Sequence, residues 1–309
     1  MRISVAFASF CCASLAGAAG PGLEPDAPID CDNCAGWNAE QPPFRVYGNS
    51  YFVGVHGLSS VLIVGSEGSI LLDGALPQSA PLIEANIRAL GFRVEDVRLI
   101  GNSHAHYDHA GGIAALVRDS GGRAMASAEG AAALESGRPH PDDPQAGFGE
   151  SARFAPVPAI RRVRDGERIE LGDLAVTVHA TPGHTPGSTT WTWRSCEGTR
   201  CLDIVYADSL NAVSAPSFRF SDPAHPERES RLRRSIADVA ALPCDVLVTV
   251  HPELSRIFER AARRAAGEAD ALIDGSACGA YAADAGARLD ARLAGERARS
   301  AEAHQSRGQ

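Results

Sequence analysis

Three histidines and one aspartate lie within six residues of the sequence, in the segment 102–112, NSHAHYDHAGG. Imidazole nitrogen is a good ligand for zinc, and a carboxylate adds a harder oxygen ligand. In an extended chain His104 and His106 point to the same side, so that they can bind one ion together. Asp108 and His109 then reach a neighbouring position. The spacing therefore predicts two adjacent metal sites.

Two more histidines stand in similar settings farther along the chain. His184 lies in the turn 181–188, TPGHTPGS, and His251 follows the apolar run 247–250, LVTV. Each comes after an apolar segment and begins a turn, which suits loops gathered at one edge of a sheet. Together with the H-x-H-x-D-H cluster, these positions resemble the signature of the metallo-β-lactamase fold superfamily.

The cluster needs a strand to deliver it, and the apolar segment 97–101, VRLIG, predicts that strand. Short strands separated by glycine-containing turns are predicted from residue 44 onward, and a second run of strands begins near residue 161. Helices are predicted over 79–90, 110–120, 227–242, 253–266 and 279–297. Two such halves predict an α/β protein, a four-layer α/β/β/α sandwich with two sheets packed face to face. The superfamily resemblance implies the same fold.

The chain divides into four parts by composition. Residues 1–20 carry one arginine, a short apolar stretch and small residues, a pattern typical of a secretory signal peptide. Residues 21–43, rich in proline and aspartate, predict an extended arm. Residues 44–299 form one domain, which the resemblance implies is a metallo-β-lactamase domain, and residues 300–309 predict a frayed tail. The leader predicts that the mature protein lies in the periplasm.

The composition limits the possible partners. The 309 residues are 44% hydrophobic, which is enough for one large core, and the net charge of -9 gives no cationic surface for nucleic acid. The chain contains no lysine, and its 29 basic residues are all arginine. Schiff-base and phosphate-loop lysines are therefore excluded. We expect no membrane span and a monomer that acts on a small molecule.

Six of the eight cysteines follow the leader, and an even number in an exported protein indicates disulfides. Cys196 and Cys201 flank a predicted hairpin tip, which favours a pair across it. Cys244 and Cys278 then remain as a pair whose disulfide would close a longer loop.

Two cysteine pairs leave alternatives open. Cys31 and Cys34 either pair in a small ring or serve redox or metal chemistry, although no second C-x-x-C is present to build a zinc knuckle. Cys11 and Cys12, in the leader, raise lipid attachment as an alternative to cleavage. The residue before Cys11 is phenylalanine, which argues against that attachment.

Over residues 35–297 the chain resembles the class B metallo-β-lactamases of subclass 3. Beside the TPGHTPGS turn, the resemblance rests on WN at 37–38, PF at 43–44, YGN at 47–49, the cluster at 102–112, YADSL at 206–210, LPCDVL at 242–247 and HP at 251–252. It implies hydrolysis of the β-lactam amide in penicillins, cephalosporins and carbapenems, and hence antibiotic resistance. The Cys244–Cys278 pair also resembles a disulfide of this subclass.

The resemblance also implies two zinc ions per chain. The ligands of the first would be His104, His106 and His184, and those of the second Asp108, His109 and His251. The first site keeps one position open, as catalytic zinc sites do. A zinc-bound hydroxide, available near pH 7, would attack the β-lactam carbonyl, with Asp108 orienting it.

Substrate binding is implied by the same resemblance. A serine stands in this subclass where others use a cysteine ligand, and Ser209 matches it. Ser209 would bind the carboxylate of the β-lactam, aided by Asn211, at a position where serine is common. Ser214 is a substitute for that second contact.

Three other functions compete with this one. A thioester hydrolase of the glyoxalase II kind shares the H-x-H-x-D-H motif and uses an aspartate that bridges both metals. Asp208, directly before Ser209, is in place for that role, but the leader, the disulfides and the missing lysines argue against it. A lactonase on the same fold is the second alternative. The third is a non-catalytic zinc protein, although structural zinc sites are normally closed by four protein ligands.

Overall fold

The chain folds into two mixed sheets with helices on their outer faces. The computed structural model describes residues 26–307. Its strands are β1 Phe44–Tyr47, β2 Ser50–Phe52, β3 Val61–Gly65, β4 Gly68–Leu72, β5 Val97–Gly101, β6 Arg123–Ala126, β7 Arg161–Arg162, β8 Arg168–Leu171, β9 Leu174–Ala180, β10 Thr189–Glu197, β11 Arg200–Ala207 and β12 Val246–Thr249. Its α-helices are α1 Cys34–Trp37, α2 Ala80–Ala89, α3 Tyr107–Ala110, α4 Ile113–Ser120, α5 Ala128–Ser136, α6 Glu227–Ala240, α7 Ile257–Ala265 and α8 Ala277–Arg307.

The first sheet has the order β1-β2-β3-β4-β5-β6-β7, and the second has the order β12-β11-β10-β9-β8. Strands β1 to β4 form an antiparallel meander, whereas β4 to β7 pair in parallel. In the second sheet β8 to β11 are antiparallel, and β12 adds in parallel to β11. The parallel pairs matter for function because their carboxyl ends meet at one edge.

The sequence of strand β4 is apolar throughout, and does not alternate with polar residues, because both faces of the strand are buried. Ile70 and Leu72 face the core between the two sheets, where they pack with Trp191 and Tyr206. Leu71, on the opposite face, packs with α2 and α4 in a second core. A strand that is buried on both faces reads as a continuous hydrophobic run.

Helices α6 and α8 cover the outer face of the second sheet. Val205 and Leu247 of that sheet pack against Val239 of α6 and Tyr281 of α8. With α2, α4 and α5 on the other side, the layers follow the order helix, sheet, sheet, helix. The predicted four-layer α/β/β/α sandwich is confirmed.

The described residues, 26–307, contain three disulfides. Cys196 pairs with Cys201 across the β10–β11 hairpin, as predicted, because the two residues are direct cross-strand neighbours. Cys244 pairs with Cys278 and ties the start of α8 to the second sheet. Cys31 pairs with Cys34, which resolves the alternatives left open for that C-x-x-C in favour of a small ring.

The described part of the predicted arm, residues 26–43, is bound to the domain by side-chain hydrogen bonds. Gln78 exchanges two hydrogen bonds with the backbone of Ile29, at 3.1 and 2.8 Å. Asn86 donates to the carbonyl of Gln41 at 3.1 Å. The arm is not wholly extended, because its C-x-x-C leads into the single turn of α1.

Two predicted helices have different limits in the structure. The helix expected over 110–120 begins only at Ile113, as α4, and Ala110 belongs instead to the preceding turn α3. Between them, Gly112 passes so close to Gly74 that a Cβ there would clash with the Gly74 carbonyl oxygen. Residues 300–307, expected as a frayed tail, instead continue α8. Ala301 and Glu302 are good helix formers, so nothing in the sequence ends the helix at residue 299.

The predicted signal peptide, residues 1–20, lies outside the described residues. Among the helices of residues 26–307, none has both the length and the hydrophobicity that crossing a bilayer requires.

A buried carboxyl group couples stability to pH. Burial raises the pKa of Glu84 on α2 to about 7, and the neighbouring Asp119 adds to the effect. The folded chain therefore keeps a proton that the unfolded chain releases above a pKa of 4.5. Stability should fall as the pH rises from about 5 to 8, by on the order of 2 kcal/mol from this group.

Glu84→Gln should remove that part of the pH dependence. We expect the melting temperature of the variant to fall less between pH 5 and 8 than that of the wild type, by roughly 5 °C. The exposed Glu40 provides the matched control, Glu40→Gln, which should follow the wild type. Parallel melting curves for the wild type and Glu84→Gln would contradict the assignment.

Candidate metal centre

The candidate ligands converge at one edge of the two sheets. The cluster at 104–109 follows β5, His184 follows β9, and His251 follows β12. Strands β4 and β5 are parallel, as are β11 and β12. The loops that leave their carboxyl ends therefore open on the same side of the sandwich.

His104, His106 and His184 form the first group. Their ligand-type nitrogens all lie within 4.8 Å of one another, and their ring centroids are 4.7 to 5.0 Å apart. All three side chains are buried. The Nε2 atom of His104 is buried and has no hydrogen-bond partner among the described residues. An unpaired buried nitrogen in such a group fits a metal ligand.

Asp108, His109 and His251 form the second group. Asp108 Oδ2 lies 3.3 Å from His109 Nε2 and 3.6 Å from His251 Nε2, and the two nitrogens are 3.3 Å apart. Ligands at about 2.0–2.1 Å around a tetrahedral zinc ion are separated by roughly 3.3 Å. The spacing of these three atoms therefore fits zinc. His104 also lies within ligand distance of Asp108 and His109, so the two groups are adjacent.

Three of the candidate ligand histidines are held in place by a hydrogen bond to the ring nitrogen that faces away from the centre. His104 Nδ1 lies 2.6 Å from Asp208 Oδ1, and His184 Nδ1 lies 2.8 Å from the carbonyl oxygen of Asn211. His251 Nδ1 lies 3.3 Å from the carbonyl oxygen of Gly57. These contacts place the ring proton away from the centre and leave Nε2 available as a ligand.

Burial sets the protonation states that metal binding needs. It lowers the pKa of His184 to about 4 and also lowers the pKa values of His104 and His251. For Asp108, burial raises the pKa, but the positive field of His109 outweighs it and holds the value well below its usual range. The three imidazoles are therefore neutral at pH 7, and the carboxylate is ionised.

The chain matches the family description "Metallo-beta-lactamase superfamily" over residues 53–251, a span that holds all six candidate ligands. It is 51% identical to Rm3 metallo-beta-lactamase, over 87% of this chain and 99% of that one, with a TM-score of 0.84. It is 50% identical to MEM-A1, a subclass B3 metallo-beta-lactamase from a soil metagenome library, over 85% and 99% of the two chains, with a TM-score of 0.82. The chain belongs to the metallo-beta-lactamase superfamily, in subclass B3.

Two further relatives show how wide the similarity is. MIM-1 from Novosphingobium pentaromativorans is 44% identical to this subclass B3 chain, over 85% of it and 93% of that structure, with a TM-score of 0.79. A hydroxyacylglutathione hydrolase of Anaeromyxobacter dehalogenans is 34% identical over 133 residues. That alignment covers 43% of this chain and 40% of the relative, so the chain matches less than half of it.

Asp208 lies behind His104 and not between the two ligand groups. Its side chain is fully buried, its backbone N–H donates to Thr190 Oγ1, and its carbonyl accepts from the Tyr281 hydroxyl. Those bonds fix the carboxylate against His104 Nδ1. In this B3 site Asp208 is therefore placed to orient a ligand, whereas the bridging role considered for it would require the opposite direction.

Asp73, directly after β4, is a buried carboxylate that lies beneath the candidate ligands. Its carboxylate accepts from the Ser103 N–H and hydroxyl at 2.7 and 2.6 Å, and from the Tyr206 hydroxyl at 2.9 Å. Its Oδ2 atom lies 4.0 Å from His109 Nδ1. Sequence reasoning missed Asp73, although an aspartate at the end of a buried strand was a usable signal.

The structure places the predicted substrate-binding residues on the segment that follows β11. Ser209 is buried beside Asp208, and its hydroxyl accepts weakly from the Asn211 N–H at 3.4 Å. The side-chain oxygen of Asn211 accepts from Arg288 of α8 at 2.9 Å. The hydroxyl of Ser214 accepts from Arg292 and donates to the Phe218 carbonyl. Ser209 is thus the one of the three for which the described residues show no strong side-chain hydrogen bond.

Proposed function

We propose that this chain is an exported di-zinc β-lactamase that hydrolyses the amide bond of β-lactams, carbapenems included. The observation that carries the proposal is the pair of adjacent ligand groups, three side chains each, at one edge of the sandwich. High identity to subclass B3 enzymes over nearly their whole length supports the same activity.

The roles of the chain's own residues follow from their positions. Zinc ions held by the six ligands would supply a nucleophilic water near pH 7 and stabilise charge on the amide oxygen. Asp108, ionised and close to both groups, would accept a hydrogen bond from that water and orient it. Ser209 donates to the substrate carboxylate. No serine or cysteine nucleophile is needed.

Two exposed apolar side chains are available for the substituents of the substrate. Phe148 and Val213 are 42% and 47% exposed, and the segments that carry them touch, because a Cβ on Gly147 would lie 2.8 Å from that of Ala215. We propose that these segments select among penicillins, cephalosporins and carbapenems.

Export to the periplasm is part of the proposal. Its support is the leader pattern of residues 1–20 and the three disulfides, which persist in oxidising compartments. Fractionation of a bacterial host that expresses the full chain tests it. A mature protein in the periplasmic fraction that lacks the leader by mass supports export, and full-length protein in the cytosol contradicts it.

The competing function is hydrolysis of a glutathione thioester, which the hydroxyacylglutathione hydrolase match favours. Against it stands the position of Asp208, whose carboxylate contacts His104 Nδ1 from behind. The chain also has no lysine side chain with which to hold glutathione.

One assay separates the two functions. The purified mature protein is given a carbapenem and, in parallel, a glutathione thioester, each with and without a chelator. We expect chelator-sensitive hydrolysis of the carbapenem alone. Hydrolysis of the thioester alone would overturn the proposal, and activity that survives the chelator would reveal a contaminating serine enzyme.

Ser209→Ala should raise KM more than it lowers kcat. A hydrogen bond to a charged group contributes about 1.5–3 kcal/mol, so we expect KM to rise roughly 10- to 100-fold with kcat within about threefold of the wild type. Steady-state kinetics on a carbapenem and a penicillin measure both constants. The reverse pattern would mean that Ser209 acts on the metals or on the transition state.

Ser214→Ala provides the matched control. The Ser214 hydroxyl is already bonded to Arg292 and Phe218, so its removal should leave KM within about threefold of the wild type. An equal rise in KM for both variants would assign the effect to the loop and not to Ser209.

A further inference from the structure

A further aspartate, Asp143, contacts the candidate metal centre from a loop in which the sequence shows no motif. Asp143 lies between α5 and the 3-10 segment Ala146–Ala152. Both of its carboxylate oxygens are 3.1 Å from His106 Nε2. Its side chain is 2% exposed, so this contact is made in a water-poor environment where a charged hydrogen bond is strong.

The contact determines which nitrogen His106 offers to the centre. With Nε2–H donating to Asp143, the lone pair of the neutral ring lies on Nδ1. His104 does the opposite, because its Nδ1 faces Asp208 and its Nε2 is free. The two rings, two positions apart in the sequence and nearly perpendicular at 89°, are thus each held by one carboxylate.

Asp143 is itself rigidly placed. Its Oδ1 atom accepts from the Gln145 N–H at 2.7 Å. The next carbonyl, that of Pro144, accepts from the Ala215 N–H at 2.9 Å. The loop of Asp143 is therefore tied to the segment after β11, on which Ser209 lies.

We propose that Asp143 is a positioning residue: it orients His106 so that Nδ1 completes the first metal group. This inference rests on the metal centre of the proposed function. A carboxylate behind a ligand histidine fixes the tautomer and the ring orientation and raises the basicity of the ligand, and its loss typically weakens metal affinity 10- to 100-fold.

The chain supplies its own control in the neighbouring residue. Asp142 has the same chemistry, but its side chain is 82% exposed and faces His140 at 3.8 Å. Asp142→Ala removes one aspartate carboxylate from the same loop but leaves the contacts of Asp143 with the centre in place.

The test is zinc affinity, measured at pH 7 by competition with a chromophoric chelator on full-length mature protein. We expect Asp143→Ala to weaken one of the two binding steps about 10- to 100-fold, with Asp142→Ala within about twofold of the wild type. Asp143→Asn keeps an oxygen for Gln145 and His106 and should lose less, about three- to tenfold. Visible spectra of the cobalt-loaded proteins should show altered ligand-field bands for Asp143→Ala only.

Several outcomes would overturn the inference. Zinc affinity of Asp143→Ala within about twofold of the wild type, with circular dichroism unchanged, means that Asp143 only shapes the loop. If Asp143→Ala fails to fold, Asp143→Asn decides, and wild-type affinity in that variant overturns the inference. The zinc measurement uses no β-lactam and is therefore independent of the proposed function. A chain that binds zinc as expected but does not hydrolyse β-lactams would contradict the proposed function and still support the role of Asp143.

Discussion

Replacing Asp108 with alanine should lower kcat/KM for β-lactam hydrolysis by at least about 10³-fold while leaving the fold intact. Asp108 is the one carboxylate among the six ligands, and its Oδ2 atom faces both His109 and His251. Without it the second group keeps two imidazoles, which is too few to hold a zinc ion tightly. The group that orients the water is lost at the same time.

The measurement combines kinetics, zinc content and melting. We expect Asp108→Ala to retain about one zinc ion per chain after dialysis, where the wild type retains two. Asp142→Ala, the exposed aspartate, should keep wild-type activity. Activity of Asp108→Ala within about tenfold of the wild type would remove this residue from the mechanism and would contradict the assignment of the second group.

Removing zinc should both abolish hydrolysis and lower the melting temperature. A ligand present at about 1,000 times its Kd stabilises the folded state by about 4 kcal/mol. For a domain of this size, that corresponds to roughly 10 °C. The physical reason is the burial of five of the six candidate ligand side chains, among which His104 keeps its Nε2 atom without a hydrogen bond to any described residue.

The test is a thermal melt after exhaustive chelation, followed by reloading with zinc. Reloading should restore both the melting temperature and the activity. The variant His184→Ala, which lacks one ligand of the first group, should show a smaller difference between the chelated and reloaded states. A melting temperature that is insensitive to chelation would show that the ligand cluster is stable without metal, and that zinc contributes to catalysis alone.

The ligands could be predicted because metal binding leaves a local pattern. His104, His106, Asp108 and His109 are adjacent in sequence, and the structure also gathers His184 and His251 beside them. The strand at 97–101 and the sandwich were predictable for a similar reason, since hydrophobic runs and turns recur with the period of the backbone.

The side chain of Asn211 shows where this reasoning ends. Its contact with substrate stays a prediction, and the sequence did not show that its amide oxygen accepts from Arg288 or that its backbone carbonyl holds His184. Arg288 lies 77 positions away in the sequence, and no pattern near residue 211 points to it.

The sequence by itself determined the candidate ligand set, the layer order and the spacing that makes two candidate ligand groups adjacent. What only the tertiary structure decided is how the rings are held: by Asp208, 104 residues from His104, and by Asp143, 37 residues from His106. Candidate ligands can be recognised from their residue types and their local spacing in the sequence. The direction of a ring depends instead on a hydrogen-bond partner that the path of a distant loop brings into place, and loop paths carry no period that the sequence displays.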